Sequence, residues 1–264
     1  MNGSAFRLWC SSLAAALVLL LPAALQACRA AEPAATLTIL AYHRFGPAVA
    51  DSMTVRTATF EAQLHFLRAR GYAIVPLRRL IRARQDRTAL PAKLVALSVD
   101  DGHRTVYTDL LPVVLREKIP VTLFIYPSAI SNAAYAMSWQ QLAELHDTGL
   151  FDIQAHTYWH PNFKTEKRRL TPDAYARFVQ LQLEKPRQVL RQKLGVEADL
   201  LAWPFGIYDE ELMAAAHAAG YLAAFSIDAR QVSMDDELLA LPRFLMLDSL
   251  GVAGLAHRLG ETIK

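Results

Sequence analysis

Lys93-Leu94-Val95-Ala96-Leu97-Ser98-Val99-Asp100-Asp101-Gly102-His103 opens as an apolar run and stops at two adjacent carboxylates and a glycine. Such a run, bounded by polar residues, reads as a strand buried on both faces of a parallel sheet. Acids at its exit fall at the carboxyl end of the sheet, where α/β folds assemble their chemistry. Two like charges this close resist ionising together unless a cation or a hydrogen-bond network compensates. Asp-Asp-Gly is also a good turn sequence in its own right, so its meaning rests on the rest of the chain.

Working outward, apolar strands alternate with amphipathic helices. Leu37 to Tyr42 reads as a strand ending at His43, and Thr57 to Arg70 as a helix stopped by Gly71. Tyr72 to Val75 is a short strand and Leu77 to Arg84 a basic-faced helix. After the opening strand, Thr105 to Lys118 is expected as a helix despite Pro112, and Val121 to Tyr126 as a strand. Ser138 is an N-cap for a helix reaching Asp147. Phe151 to Ala155 is a strand that ends in His156-Thr157-Tyr158-Trp159-His160-Pro161. Thr171-Pro172 opens a long helix that Pro186 is expected to kink or divide. Leu200 to Trp203, Tyr221 to Ile227 and Leu239 to Met246 read as the last strands, with helices at Asp209 to Ala219 and Leu250 to Glu261. Seven or eight such alternations predict the α/β class, a (β/α) barrel of seven or eight parallel strands rather than an open sheet. No linker divides the chain, so residues 36–264 are expected to form one catalytic domain.

The chain has 264 residues, 53% of them hydrophobic and 20% charged, which fits a globular protein and excludes a disordered one. Outside the first 30 residues basic and acidic side chains nearly balance, and no basic run suggests nucleic-acid binding. Arg7 followed by the apolar Leu13 to Leu25 reads as an export signal within residues 1–30. Leu25-Gln26-Ala27-Cys28 resembles a lipobox, which would make Cys28 a lipid-bearing N-terminus and attach the protein to a membrane. Cleavage near Ala27 or Ala30 by an ordinary signal peptidase is the alternative. Either way the protein is expected to be exported, periplasmic or secreted. Cys10 and Cys28 are the only cysteines, so the mature chain holds no internal disulfide. The oligomeric state is left open.

Every polar cluster falls just after a strand, and in a barrel those positions converge on one rim. The clusters are His43, the pair Asp100 and Asp101, the pair His156 and His160, and the turn Trp203-Pro204-Phe205-Gly206. Two imidazoles and one carboxylate with open positions suit Zn²⁺ or a similar divalent metal. The H-x-x-x-H spacing is weak alone, but it sits at a strand exit close to that of Asp-Asp-Gly. His65, His146 and His217 lie on helices and read as solvent-facing; Asp228 and the run from Met234 to Glu237 read as a solvated loop.

Ser98-Val99-Asp100-Asp101-Gly102 and His156-Thr157-Tyr158-Trp159-His160 together resemble the polysaccharide deacetylases of the NodB-homology type, carbohydrate esterase family 4. Ala202-Trp203-Pro204-Phe205-Gly206 keeps part of a third motif of that family. The resemblance covers roughly residues 36–247 and implies a distorted barrel with one divalent metal ion, Zn²⁺ or else Co²⁺, Ni²⁺ or Fe²⁺. It implies that Asp101, His156 and His160 hold the metal and that Asp100 is the general base toward the attacking water. It implies that the backbone N–H of Phe205 helps hold the oxyanion. Tyr126, Tyr158, Trp159, Trp203 and Pro204 are candidate sugar contacts, since aromatic faces suit the C–H surfaces of pyranose rings, with packing at the rim as the alternative.

Two departures from the family pattern matter. The arginine usual before the Pro-aromatic turn is Ala202 here, and Arg243 on the last strand is a candidate to orient Asp100, with a structural role as the alternative. A C-terminal Leu-x-His is matched formally by His257, but inside a helix. His43 is the better candidate general acid, with a buried structural histidine as the alternative. That placement resembles the circularly permuted subgroup acting on poly-β-1,6-N-acetylglucosamine, a biofilm exopolysaccharide. The implied activity is removal of N-acetyl groups from an extracytoplasmic N-acetylated polysaccharide. An O-acetyl esterase and a non-catalytic, metal-dependent glycan-binding protein remain as alternatives.

Overall fold

Ten strands and eight α-helices alternate along the described residues of the computed structural model. The structure describes residues 37–263 apart from Arg87 and Ala89. The export signal and Cys28 lie outside them. The chain runs β1 (Leu37–Tyr42), β2 (Arg44–Gly46), β3 (Thr54–Arg56), α1 (Thr57–Ala69), β4 (Ala73–Ile74), α2 (Leu77–Gln85) and β5 (Leu94–Val99). It continues through α3 (Leu111–Glu117), β6 (Val121–Ile125), α4 (Trp139–Asp147), β7 (Phe151–Ala155), α5 (Phe163–Arg169) and α6 (Pro172–Leu194). It finishes with β8 (Leu200–Ala202), α7 (Glu210–Ala218), β9 (Ala223–Phe225), β10 (Phe244–Leu245) and α8 (Gly251–Arg258).

All eight strands of the main sheet are parallel, in the order β10-β1-β5-β6-β7-β8-β9 with β4 beside the first half of β5. β1 and β5 are buried along their whole length and pair from Leu37↔Leu94 to Tyr42↔Val99. One segment brings the two ends of the sheet together. Leu241 bridges Phe225 of β9, and three residues on Phe244 pairs with Leu40 of β1. The result is a distorted parallel barrel, and parallel pairing puts every strand exit on one rim.

Strand alternation sorts the core into two populations. Ile39, Ala96, Phe124, Ala202 and Phe225 fall in one cluster together with Leu77, Leu80 and Ile81 of α2. The neighbouring residues Leu40, Val95, Leu97, Leu123, Leu201 and Ala224 fall in the other, with the apolar faces of α1, α4, α6 and α7. The first cluster is the barrel interior, closed by α2. The second is the layer between barrel and outer helices.

Several local expectations need correction. Pro186 is buried inside α6 and does not divide it. A proline removes one i→i−4 bond, and the long helix keeps bonded turns on both sides of it. The helix expected from Thr105 begins instead as a π-turn over Val106–Leu110, which leaves Pro112 in the first turn of α3, where its missing N–H costs nothing. The last strand shrinks to Phe244–Leu245, preceded by a 3₁₀ turn at Leu238–Ala240. β2, β3 and α5 are too short for a clear period and were not expected.

Ser138 does cap α4. Its Oγ accepts from Gln141 N at 3.1 Å and Gln141 Oε1 accepts from Ser138 N at 2.9 Å, a reciprocal capping box. Ser138→Ala is expected to lower the unfolding free energy by about 1 kcal/mol, and Ser138→Thr by much less; urea unfolding at equilibrium measures both.

Candidate active site

The alternation of β5 decides where its exit residues go. Leu94 and Ala96 face the barrel interior, so Ser98 and Asp100 follow on the same face. Asp100 N still donates to Tyr42 O at 2.9 Å, extending the ladder by one residue. Asp101 then turns away with φ 75° and Gly102 with φ 76°. A Cβ at Gly102 would lie 3.0 Å from Ile125 Cγ2 and 3.1 Å from Ile130 Cδ1, so only glycine fits this turn without displacement. The reversal separates the two carboxylates: Asp100 points down into the barrel and Asp101 across the rim.

The histidines come from the exit of β7. His156 N donates to Ile125 O at 2.8 Å, and its Nδ1 lies 2.7 Å from Ala202 O. A carbonyl can only accept, so Nδ1 carries the proton and Nε2 is left bare. Nε2 faces Asp101 Oδ1 at 3.7 Å and Asp100 Oδ2 at 4.0 Å. Thr157 and His160 both take positive φ, and His160 N donates to Thr157 Oγ1 at 3.2 Å. This tight loop turns His160 Nε2 to within 3.7 Å of the same Asp101 oxygen.

That oxygen, Asp101 Oδ1, is buried and accepts no hydrogen bond. Two ring nitrogens at 3.7 Å are too distant to donate to it. The ligand atoms of Asp101, His156 and His160 lie within 4.8 Å of one another, the one such group of three among the described residues. An orphaned carboxylate oxygen and two inward imidazole nitrogens are the donor set a divalent cation completes. Burial, followed by the neighbouring His156, holds the His160 imidazole down at about 4, and burial also lowers His156. Both rings are therefore neutral at pH 7, the form that ligates.

Asp100 is buried, and burial alone would raise its pKa. The charge of Arg243, then His156 and the Arg243 hydrogen bonds, outweigh that and hold the carboxyl far below its ordinary value. Arg243 is fully buried and bidentate, with Nη1 donating to Asp100 Oδ1 at 2.8 Å and Nη2 to Oδ2 at 2.7 Å. Its Nη1 also reaches Ser98 Oγ at 3.1 Å, and Nε donates to Ser226 O at 3.0 Å. Ser98 Oγ donates in turn to Leu40 O at 3.0 Å. Ser98 and Ser226 were not singled out in the sequence; the interior parity of Ser98 was the available signal.

His43, Asp100, Asp101, His156, His160 and Phe205 line one cleft, with Met53, Ile227 and Leu245 as apolar walls. His43 Nδ1 is buried without a partner among the described residues. Phe205 sits at φ 57°, its ring 4.6 Å from that of His160. In this turn Gly206 N and Ile207 N bond to Trp203 O and Pro204 O, and the Phe205 N–H takes no part in these bonds. Gly206 has no room for a Cβ, which would lie 2.5 Å from Ile227 Cγ1.

The expected sugar contacts divide. Trp159 is half exposed at the rim, and Tyr126 and Tyr158 are partly exposed beside it. Trp203 and Pro204 are buried, which favours packing over sugar stacking for both, although Trp203 still forms part of the cleft lining. The Trp203 indole N–H donates to Leu239 O at 2.9 Å and its ring packs edge-on against Phe163, so it supports the turn from below. A strand-exit tryptophan looks the same in sequence whether it points up or down; the even parity of Ala202 puts Trp203 in the outer layer.

Fold and site together define an α/β barrel with a candidate metal-assisted active site at the strand-exit rim. The family model for polysaccharide deacetylase matches residues 87–224, and the chain belongs to that family. It is 23% identical over 197 residues to the poly-β-1,6-N-acetyl-D-glucosamine N-deacetylase of Staphylococcus epidermidis, covering 73% of this chain and 68% of that one. The structure of IcaB from Ammonifex degensii superposes with a TM-score of 0.74 at 24% identity, over 85% of this chain and 97% of that one. The Streptococcus pyogenes deacetylase PplD, solved with acetate, gives a TM-score of 0.74 at 20% identity, over 86% and 99%. His43 and Arg243 both lie outside the matched residues, and the barrel brings them back to the site.

Arg243→Met leaves Asp100 buried without its counter-charge and is expected to cost about 3–5 kcal/mol of stability. Asp100→Asn combined with Arg243→Met is expected to cost clearly less than the sum of the two single changes. Urea unfolding of the four proteins, freed of metal by chelation, measures the coupling.

Proposed function

We propose that the protein removes N-acetyl groups from N-acetylglucosamine units of an extracytoplasmic polysaccharide of the poly-β-1,6-linked kind, with the help of one divalent metal ion. The observation that carries this is Asp100, kept ionised by Arg243 within 4.0 Å of the ring nitrogen of His156, beside the donor set formed with Asp101 and His160. The names of the Staphylococcus epidermidis enzyme and of IcaB support the choice of substrate.

Asp101, His156 and His160 would hold the metal, which supplies Lewis-acid polarisation of the acetyl carbonyl and makes water a stronger acid. Asp100 accepts a proton at Oδ from the attacking water. Its depressed pKa makes it a weak base, but one that is charged at every working pH, and Arg243 fixes its direction. Phe205 lines the cleft, and its backbone N–H would serve as a donor for the developing oxyanion, a contribution of about 3 kcal/mol in comparable sites. His43, across the cleft, returns a proton to the departing amine. The positive φ angles of Asp101, Thr157, His160 and Phe205 hold these groups in directions that relaxed backbone would not give.

Export forms part of the same proposal and rests on the leader sequence; no helix among the described residues is long and apolar enough to cross a membrane. If Cys28 carries lipid, Cys28→Ser moves the protein from the membrane fraction to the soluble one, as an immunoblot of fractionated cells reads.

Incubated with N-acetylated β-1,6-linked glucosamine oligomers, the protein is expected to release acetate. Chelation should stop the release and added Zn²⁺ restore it. Asp100→Asn should lower kcat by about 10²–10⁴-fold. Acetate release that survives both treatments overturns the mechanism, and cleavage confined to O-acetyl sugars overturns the substrate.

A further inference from the structure

Among the described residues three aromatic side chains are strongly exposed: Tyr135 at 40%, Trp159 at 50% and Phe205 at 56%. Phe205 lines the cleft, and the other two stand on neighbouring loops of the same rim. Phe205 lies against His160, Trp159 precedes it in the chain, and the Tyr135 hydroxyl bonds Tyr126 at 2.6 Å, whose ring is 5.3 Å from that of His160. They follow β6, β7 and β8 in turn, so they form an arc along one side of the rim. Trp159 is held in place: its backbone N–H donates to Gln182 Oε1 at 3.1 Å and its ring is backed by Phe178 at 5.7 Å. Exposed apolar rings gathered at one opening mark a binding surface, and flat rings suit the C–H faces of sugars.

Charge distinguishes this arc. An aromatic face that takes a neutral sugar also attracts an ammonium group. Here cations already stand beside it. Lys185 Nζ lies 5.9 Å from the Tyr158 ring, next to Trp159. At the Tyr135 end Arg104 N donates to Tyr135 O at 2.8 Å, and its guanidinium reaches Ala134 O at 3.3 Å. Neither cation forms an ion pair with a carboxylate among the described residues.

The reaction proposed above changes the charge of the polymer as it proceeds. Water adds its oxygen to the acetyl carbon, the C–N bond breaks, acetate leaves, and the nitrogen takes protons to become an ammonium at neutral pH. We propose that the arc of Tyr135, Trp159 and Phe205 holds the units flanking the reacting one, and that Lys185 and Arg104 make it accept flanks still N-acetylated and reject flanks already converted to the ammonium form. This rests on the deacetylase reading. It makes the pattern of deacetylation along a chain a consequence of rim electrostatics: each cleaved unit disfavours cleavage of its neighbours.

The test compares kcat/KM on two β-1,6-linked glucosamine pentamers with the Zn²⁺-supplied enzyme, one fully N-acetylated and one carrying a single free amine beside the central unit. Acetate released from the central unit is followed by mass spectrometry. The fully acetylated oligomer should be preferred by about three- to ten-fold at low salt, and the preference should shrink as salt rises from roughly 0.05 to 0.5 M. Lys185→Glu should erase or reverse it, and Arg104→Gln should reduce it. The ratio is internal to each protein, so a partly misfolded variant does not distort it, and the salt series needs no variant. A ratio indifferent to both salt and Lys185→Glu overturns the inference while the deacetylase reading stands. No acetate from any N-acetylated oligomer overturns both.

Discussion

The Arg243–Asp100 pair, closed inside the barrel, is the interaction on which the site depends. Taking two charges out of water costs several kcal/mol for each ion unless geometry and hydrogen bonds compensate. Here the compensation is thorough. The guanidinium gives two bonds to the carboxylate, one to Ser98 Oγ and one to Ser226 O, and lies over the Phe124 ring at 5.4 Å. These partners come from β5, β6 and the exit of β9, while Arg243 itself sits between the Leu241 bridge and β10. The ion pair therefore bonds together the strands where the barrel closes. Asp100 cannot be displaced without opening that closure.

Strain is concentrated at the same rim. Among the described residues seven non-glycine positions have positive φ, and Asp101, Thr157, His160 and Phe205 are four of them. Each such residue costs on the order of 1–3 kcal/mol, so the surrounding packing must hold it. Gly102 against Ile125 and Ile130, and Gly206 against Ile227, show how: the turns are wedged onto strand-exit isoleucines with no space for a side chain. The rigidity of the rim comes from the barrel layers beneath it.

Much of this was legible in the chain. The uninterrupted apolar runs of β1 and β5, with acids and imidazoles at the strand exits, indicated a parallel barrel and its working end. Parity along β5 already assigns Asp100 to the interior. Other features were not legible. Pro186 passes through α6 because tertiary packing outweighs the loss of one helical bond. Trp203 proved to be support for the turn because a ring beside a turn carries no mark of which way it faces. Tyr135, absent from the expected sugar contacts, stands at the mouth through its bond to Tyr126.

The sequence by itself determined the fold class, the family and the residue types of the cation cradle, because parallel strands write their burial as continuous apolar runs and strand exits carry the polar residues. Only the tertiary structure decided which arginine serves Asp100. Arg243 is 143 residues away from it in the chain, in the barrel's closing segment, and the two meet only when the ring is complete. Likewise the separation of the adjacent acids into an inward and an outward group depends on Asp101 and Gly102 taking positive φ, at a turn where Ile125 and Ile130 leave no room for a side chain on Gly102.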